Sequence, residues 1–247
     1  MEVRGSIVKQ RLDVAMMQRQ LVPTRSQAES WIKLGKVTVD GKPVMKPGFM
    51  VSDISQIKLL TSEQYVSRAG LKLASVASLL GLSFPGKIVL DVGSSTGGFT
   101  DYALQHGADK VIAVDVGTDQ LHASLHNNPK IELHEKTDIR DFVPNTIPSI
   151  VVIDVSFVSL RRILPHIANI IGKDTQVVAM VKPQFEASRS QITSGGIVKN
   201  DRVRRDILKD FELWVKQAFS ILNKIDSGVA GAHGNKERFY LLMLAKK

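Results

Sequence analysis

The 247-residue chain contains no cysteine, which excludes disulfides, thiolate metal sites and cysteine nucleophiles together. It is poor in aromatics, at 6% with two tryptophans, and it is short of acid. Against 33 Lys and Arg stand 24 Asp and Glu, a formal charge of +9. Such an excess points to a polyanionic partner, of which nucleic acid is the commonest. No apolar run approaches the ~20 residues of a membrane helix, and the opening "MEVRGSIVKQRLD" has no apolar stretch of signal-peptide type. Among the six histidines no metal-ligand spacing is visible, so no metal is expected. A folded protein working in the cytoplasm, without membrane contact, is the expectation. With 43% hydrophobic residues, the chain can build one large domain or a small domain beside a medium one.

The charge is uneven. Residues 1–60 hold 10 Lys and Arg against 5 acids, whereas the other 187 residues hold 23 against 19. The basic N-terminal part also patterns as a unit. "RLDVAMMQRQLV" spaces Leu12, Ala15, Met16 and Leu21 as a short amphipathic helix, and "SQAESWIKLG" opens on Ser26 and Glu29 in capping-box spacing and closes on Gly35. "KVTVDGKPV" reads as strand, Asp-Gly turn, strand, and "DISQIKLL" as one more strand. This ordering, with Arg11, Arg25, Ser26, Gly35 and "KPGFMVSD", resembles the S4 RNA-binding domain over about 50 residues. The resemblance implies that Arg11, Arg25, Lys33, Lys36 and Lys42 face RNA. The expected organisation is an S4-like domain over 1–60, a linker over 61–66 and a second domain over 67–247.

From residue 86 apolar runs alternate with helical segments: "KIVLDVG", "KVIAVDVG", "IELHEK", "SIVVIDVS", "TQVVAMVKP", and late "KIDSGVAGA" and "RFYLLMLA". Runs that stay apolar on both faces belong to buried strands, so the fold class is α/β, a Rossmann-like doubly wound parallel sheet. Ligands in such sheets bind beyond the carboxyl ends of the strands. There "LDVGSSTGGFT" places a turn, Gly93, Ser94, Ser95, Thr96, Gly97 and Phe99, after Asp91. Its glycine spacing is not the G-x-G-x-x-G of nicotinamide sites. Asp115 can accept from ribose hydroxyls, Asp138 from an adenine amino group, and Asp154 completes four acids at or just past successive strand ends. Four acids repel a phosphate-rich dinucleotide and favour a sulfonium carrying adenosine. S-adenosylmethionine is therefore the expected cofactor.

"VSRAGLKLASVASLL" holds an oddity. Ala69, Leu73, Val76 and Leu80 form an apolar stripe, with Ser67 as cap and Gly81 as stop, yet Lys72 lies only about 60° from the stripe's centre. Arg68 is one turn earlier on the same flank. A snorkelling lysine is the plain reading of that stretch alone. Further along, Asp154 and Lys182 end the fourth and fifth apolar runs, and Glu237 in "GNKERF" leads into the last one. The series Lys72, Asp154, Lys182, Glu237 resembles the Lys-Asp-Lys-Glu tetrad of FtsJ-type ribose 2'-O-methyltransferases. With "IDVSFVSL", "VKPQFE" and the S4-like start, nearly the whole chain resembles the TlyA, or haemolysin A, family.

The resemblance implies a methyltransferase acting on cytidine 2'-hydroxyls of 23S or 16S ribosomal RNA, or both, in free RNA or ribosomal subunits. It makes Lys182 the base, with Asp154 and Glu237 orienting and Lys72 holding the ribose; Arg68 is added to the RNA-facing set. A lysine serves as a base when burial beside a second cation pulls it below ~10.4. The polar stretch 183–202 is expected to be a mobile flap or a disordered loop. Three competing readings are an NAD-linked oxidoreductase, a membrane-active haemolysin and a passive RNA-binding ribosome factor. The glycine spacing opposes the first, the lack of a long amphipathic stretch the second, and the charges at the cleft mouth the third.

Overall fold

The structure, a computed structural model, describes residues 9–22, 25–33, 35–60, 65–229, 231 and 234–245. The N-terminal unit runs β1 (Lys9–Arg11), α1 (Leu12–Gln18), α2 (Arg25–Lys33), β2 (Val37–Val39), β3 (Lys42–Pro43), β4 (Met50–Ser52) and β5 (Ile57–Leu59). Leu12, Ala15 and Met16 bury the apolar face of α1. Asp40 and Gly41 both take positive φ, 51° and 79°, the turn that matches the twist of β2 and β3. β5 pairs with the other edge of β2, and β1 with β4. The pair β1–β4 escaped the sequence pattern because three-residue strands carry too little alternation. In α2 Glu29 pairs with Arg25 and Lys33 at i−4 and i+4, while the side chain of Ser26, the expected cap, lies outside the described residues.

The second unit contains α3 (Arg68–Ala77), β6 (Ile88–Val92), α4 (Gly98–Gln105), β7 (Lys110–Val114), β8 (Ile131–His134), β9 (Ile150–Ile153), α5 (Leu164–Ile170), β10 (Gln176–Val181), α6 (Pro183–Glu186), α7 (Asp201–Val215), β11 (Phe219–Asp226) and β12 (Arg238–Leu244). Seven strands form one sheet in the order β11-β12-β10-β9-β6-β7-β8. Five are parallel, as expected; β12 runs antiparallel to both β10 and β11, so the sheet is mixed. β11 also starts at Phe219, five residues before "KIDSGVAGA", because an edge strand exposes most of its residues and loses the buried pattern.

Alternate residues of each central strand feed two cores. Val89, Val111, Ile150, Val152, Val178 and Met180 pack under α3 and α4, in a cluster that continues to Leu12 and Trp31 of the N-terminal unit. Leu90, Ile112, Val151, Ile153, Ala179 and Val181 pack under α5 and α7, with Leu164, Ile167, Leu208 and Phe211. Ser67 caps α3 through Ala69 N, and the stripe residues Leu73, Val76 and Leu80 are buried. Residues 61–64 of the expected linker lie outside the described residues. Its other two are docked: Tyr65 is buried against Tyr102, and Val66 N donates to Asp101 Oδ2 at 2.8 Å.

Candidate functional site

The carboxyl ends of β6, β7, β9 and β10 meet at a cleft of about 480 Å³ with a smaller recess of about 140 Å³ beside it. Val92, Gly93, Val114, Asp115, Val116, Asp138, Ile139 and Asp154 are among those lining the first. Asp91, Ser94, Ser95, Thr96, Phe99, Asp154 and Lys182 are among those lining the second. The strand-end register explains the meeting: Asp154 N donates to Val92 O at 3.0 Å, and a Cβ on Gly93 would lie 2.8 Å from Asp154 O. At this close approach, with φ of 80°, only glycine fits.

The acids differ in character. Asp115 accepts from Ser95 N at 2.9 Å and Gly117 N at 2.7 Å, which holds its carboxylate at the cleft wall. Asp138 is engaged by Arg140 through the backbone and a two-pronged guanidinium contact, which holds its carboxyl down at about 2. Much of its acceptor capacity is therefore used within the chain, less open to an adenine than the sequence suggested. Asp91 is 1% exposed; burial pushes its pKa up to about 7, against a 2.6 Å hydrogen bond from Thr100 and with repulsion from Asp154 and Asp115. Asp91 Oδ1 and Ser94 Oγ are buried without a partner. Two orphaned acceptors over an acid-lined, apolar-walled cleft fit a cationic adenosine ligand. Gly97, expected at the ligand, is not among the lining residues: its hydrogen faces Leu121 and Leu125, so its smallness serves packing.

The four tetrad residues arrive from four elements. Lys182 follows β10, Asp154 follows β9, and their charges meet at 2.6 Å, with Lys182 Nζ also donating to Ser156 Oγ at 2.7 Å. Lys72 on α3 meets Glu237, just before β12, at 2.6 Å. Val181 pairs with Arg238 in the antiparallel ladder, so the next positions outward, Lys182 and Glu237, stand side by side. All four side chains are 13% exposed or less. Asp154 Oδ1 and Glu237 Oε2 sit at ion-pair distance but off the line of a hydrogen bond, so each keeps acceptor capacity. Gly231 lies against Glu237 Oε1, where a side chain would displace the carboxylate. Lys72 is thus no snorkelling lysine; its partner is a buried acid 165 positions away in sequence.

Three further residues were missed. Ser156 is Lys182's hydroxyl partner. Phe157 is 92% exposed at φ 64°, its ring 5.3 Å from Phe185, and it lines the rim of the cleft. Its exposure is invisible in sequence, because phenylalanine reads as core. The third is Asn235, buried, whose side chain bonds Gly196 O and Val198 N and so pins the 183–202 stretch. That stretch is not a disordered loop: it contains α6, a 3₁₀ turn at Arg189–Gln191 and a bridge between Ile192 and Val198.

On the N-terminal unit Arg11, Arg25, Lys33, Lys36 and Lys42 are exposed, as is Arg68 on α3. Arg11 and Arg25 share Asp13, whose side chain is wholly buried. Burial pushes Asp13 up, and the hydrogen bonds from both arginines outweigh it, leaving it at about 2. Among the described residues no His, Asp and Glu cluster could hold a metal, and no helix is long and apolar enough to cross a membrane.

Comparisons with known proteins agree with this arrangement. Residues 65–244 match the FtsJ-like methyltransferase model and residues 10–55 the S4 domain model. The chain is 36% identical over 238 residues to the 16S/23S rRNA (cytidine-2'-O)-methyltransferase TlyA of Mycobacterium tuberculosis, covering 94% of this chain and 89% of that protein. It is 40% identical over 183 residues to the 23S rRNA (cytidine-2'-O)-methyltransferase TlyA of Campylobacter jejuni, covering 73% and 72%. A solved Streptococcus thermophilus structure bearing the hemolysin name superposes with a TM-score of 0.71 at 39% identity, covering 98% and 90%. The chain therefore belongs to the FtsJ-like methyltransferase family, of the TlyA type, with an S4 domain at its N-terminal end.

Proposed function

We propose that the protein is an S-adenosylmethionine-dependent methyltransferase of ribosomal RNA that modifies the 2'-hydroxyl of cytidine, working in the cytoplasm where ribosomes are built. The observation that carries this reading is the convergence of Lys72, Asp154, Lys182 and Glu237 as two buried ion pairs beside an acid-lined cleft. A passive RNA binder has no use for four charged side chains buried together, since each buried charge must overcome desolvation.

Asp115 is placed to bind the ribose of the cofactor, Val116 and Ile139 to cover its base, and Asp91 and Asp154 to face its cationic end. S-adenosylmethionine, when bound, supplies a methyl group on a sulfonium as the electrophile. The chain's own residues deal with the nucleophile. A ribose hydroxyl is weak at neutral pH, and a positioned base removes its proton as it attacks. Lys182 Nζ, entering the step as the neutral amine after giving its own proton to solvent, is the nitrogen for that proton, and Asp154 and Ser156 fix its direction. Glu237, held in place by Lys72 and standing beside Lys182 at the end of the ladder, offsets the ammonium charge that forms as the proton arrives. Phe157, exposed on the rim, offers a flat face on which an unstacked base can rest. Residues 1–60 supply the RNA anchor, residues 61–66 connect, and residues 67–247 carry the chemistry. Arg11, Arg25, Lys33, Lys36, Lys42 and Arg68 form the basic contact set.

The test is incubation with methyl-labelled S-adenosylmethionine, free ribosomal RNA and separated subunits, followed by mapping of 2'-O-methylated nucleotides. A labelled cytidine in one of these substrates is expected, with turnover about a hundredfold lower in K182A and cofactor affinity unchanged. Wild-type turnover by K182A would remove Lys182 as the base.

A further inference from the structure

The loop after β9 carries both Ser156, which touches Lys182, and Phe157, which stands exposed on the rim. One end of it is anchored by the strand. The other is held by a side chain from a different element. Glu186 is the last residue of α6, the short helix that starts directly after Lys182. Its side chain is 1% exposed, buried far beyond what a surface glutamate needs. Oε2 accepts from the Ser159 hydroxyl at 2.6 Å, Oε1 accepts from Leu160 N at 2.7 Å, and Arg161 Nε lies 3.5 Å from Oε2. Arg161 is in turn held by Asp210 of α7 at 2.7 Å and lies over the Trp214 ring at 5.2 Å. α6 thus presents Lys182 at its start and clamps the neighbouring loop at its end, and Phe185, one residue before the clamp, meets Phe157 ring to ring at 5.3 Å.

We propose that Glu186 is a positioning residue for methyl transfer: its carboxylate staples the 155–159 loop to α6 and so presents Phe157 on the rim beside Lys182. The physical need is plain. An exposed phenylalanine at φ 64° is strained backbone with no core contact of its own, and such a conformation persists only where the surroundings impose it. Two hydrogen bonds and one ion pair converging on one buried carboxylate provide that constraint. Glu186 does not itself line the cofactor cleft, but the loop it holds forms one wall of it through Val155 and Phe157, so its loss should lower turnover more than it lowers cofactor affinity.

The inference rests on the reading of Lys182 and the rim as the transfer site, and K182A in the same assay tests that reading separately. The experiment uses the full chain with whichever ribosomal RNA substrate is methylated, and compares E186A, E186Q, F157A and the double variant E186A/F157A. Expected are a kcat at least tenfold lower in E186A, a fall in S-adenosylmethionine affinity several-fold smaller than the fall in kcat, and partial recovery in E186Q, whose remaining oxygen still accepts from Leu160 N. The double variant should lose much less than the product of the two single losses, because both act through the same ring. Losses that multiply, cofactor affinity that falls in step with kcat, or a silent F157A beside an impaired E186A would each overturn the positioning role. Should E186A fail to fold, S159A removes a single bond of the clamp, and its loss must likewise fail to multiply with that of F157A. Near wild-type kcat in E186A with K182A inactive refutes the staple alone; activity in K182A refutes the site.

Discussion

Asp91 offers the sharpest quantitative test of the cleft. It lies under the recess at 1% exposure, its Oδ2 takes a hydrogen bond from Thr100 and its Oδ1 has no partner. Burial raises its pKa from the ordinary 3.8 to about 7. The folded state therefore binds this proton more tightly than the unfolded chain. The associated stability is complete below about pH 4 and is lost as pH rises through about 7, up to roughly 4 kcal/mol in all. About 2 kcal/mol of the loss falls between roughly pH 5.5 and 8.5, where the folded carboxyl ionises and the unfolded one already has.

D91N keeps an oxygen for Thr100 and cannot ionise. Denaturant unfolding of both proteins across that range should show D91N gaining on wild type by about 2 kcal/mol, whatever the offset at the acidic end. A cationic ligand should reverse the preference by favouring ionised Asp91. The thermal upshift given by S-adenosylmethionine should therefore be larger at pH 8 than at pH 6 in wild type, and equal at the two in D91N. A stability difference that does not change with pH would refute the reasoning, since Asp91 would then hold one charge state throughout.

K72A leaves Glu237 buried without its cation, and unfolding measurements should show a loss of about 3–5 kcal/mol, partly recovered in K72A/E237Q. Calorimetry on D115A should show S-adenosylmethionine binding weakened by about 1–3 kcal/mol, because an ionised acceptor is removed from the cleft wall. Binding of full-length protein to ribosomal RNA should weaken steeply with salt, and R11A should flatten that slope by up to about one contact. Asp13, held down at about 2, gives stability that is complete above about pH 4 and is lost as pH falls through 2; acid titration should show that loss in wild type and less of it in R11A.

Much of the fold was legible in sequence because its determinants are local. Four central strands are buried on both faces and so read as apolar runs, and the Asp-Gly turn and the Ser67 cap announce themselves by backbone chemistry. The residue types at the strand ends followed too, since a strand that is apolar throughout can carry a charge only where it emerges. What the sequence by itself determined was thus the α/β frame, the basic N-terminal unit and the set of charged residues at the cleft. Tertiary structure alone decided how those charges pair. Lys72 with Glu237 and Lys182 with Asp154 are contacts across the sheet and between layers, fixed by the antiparallel entry of β12 beside β10, which the apolar pattern cannot distinguish from a parallel one. The same holds for Phe157 and Glu186: an aromatic reads as core and a glutamate as surface, and only the packing of α6 against the loop after β9 exposes the one and buries the other.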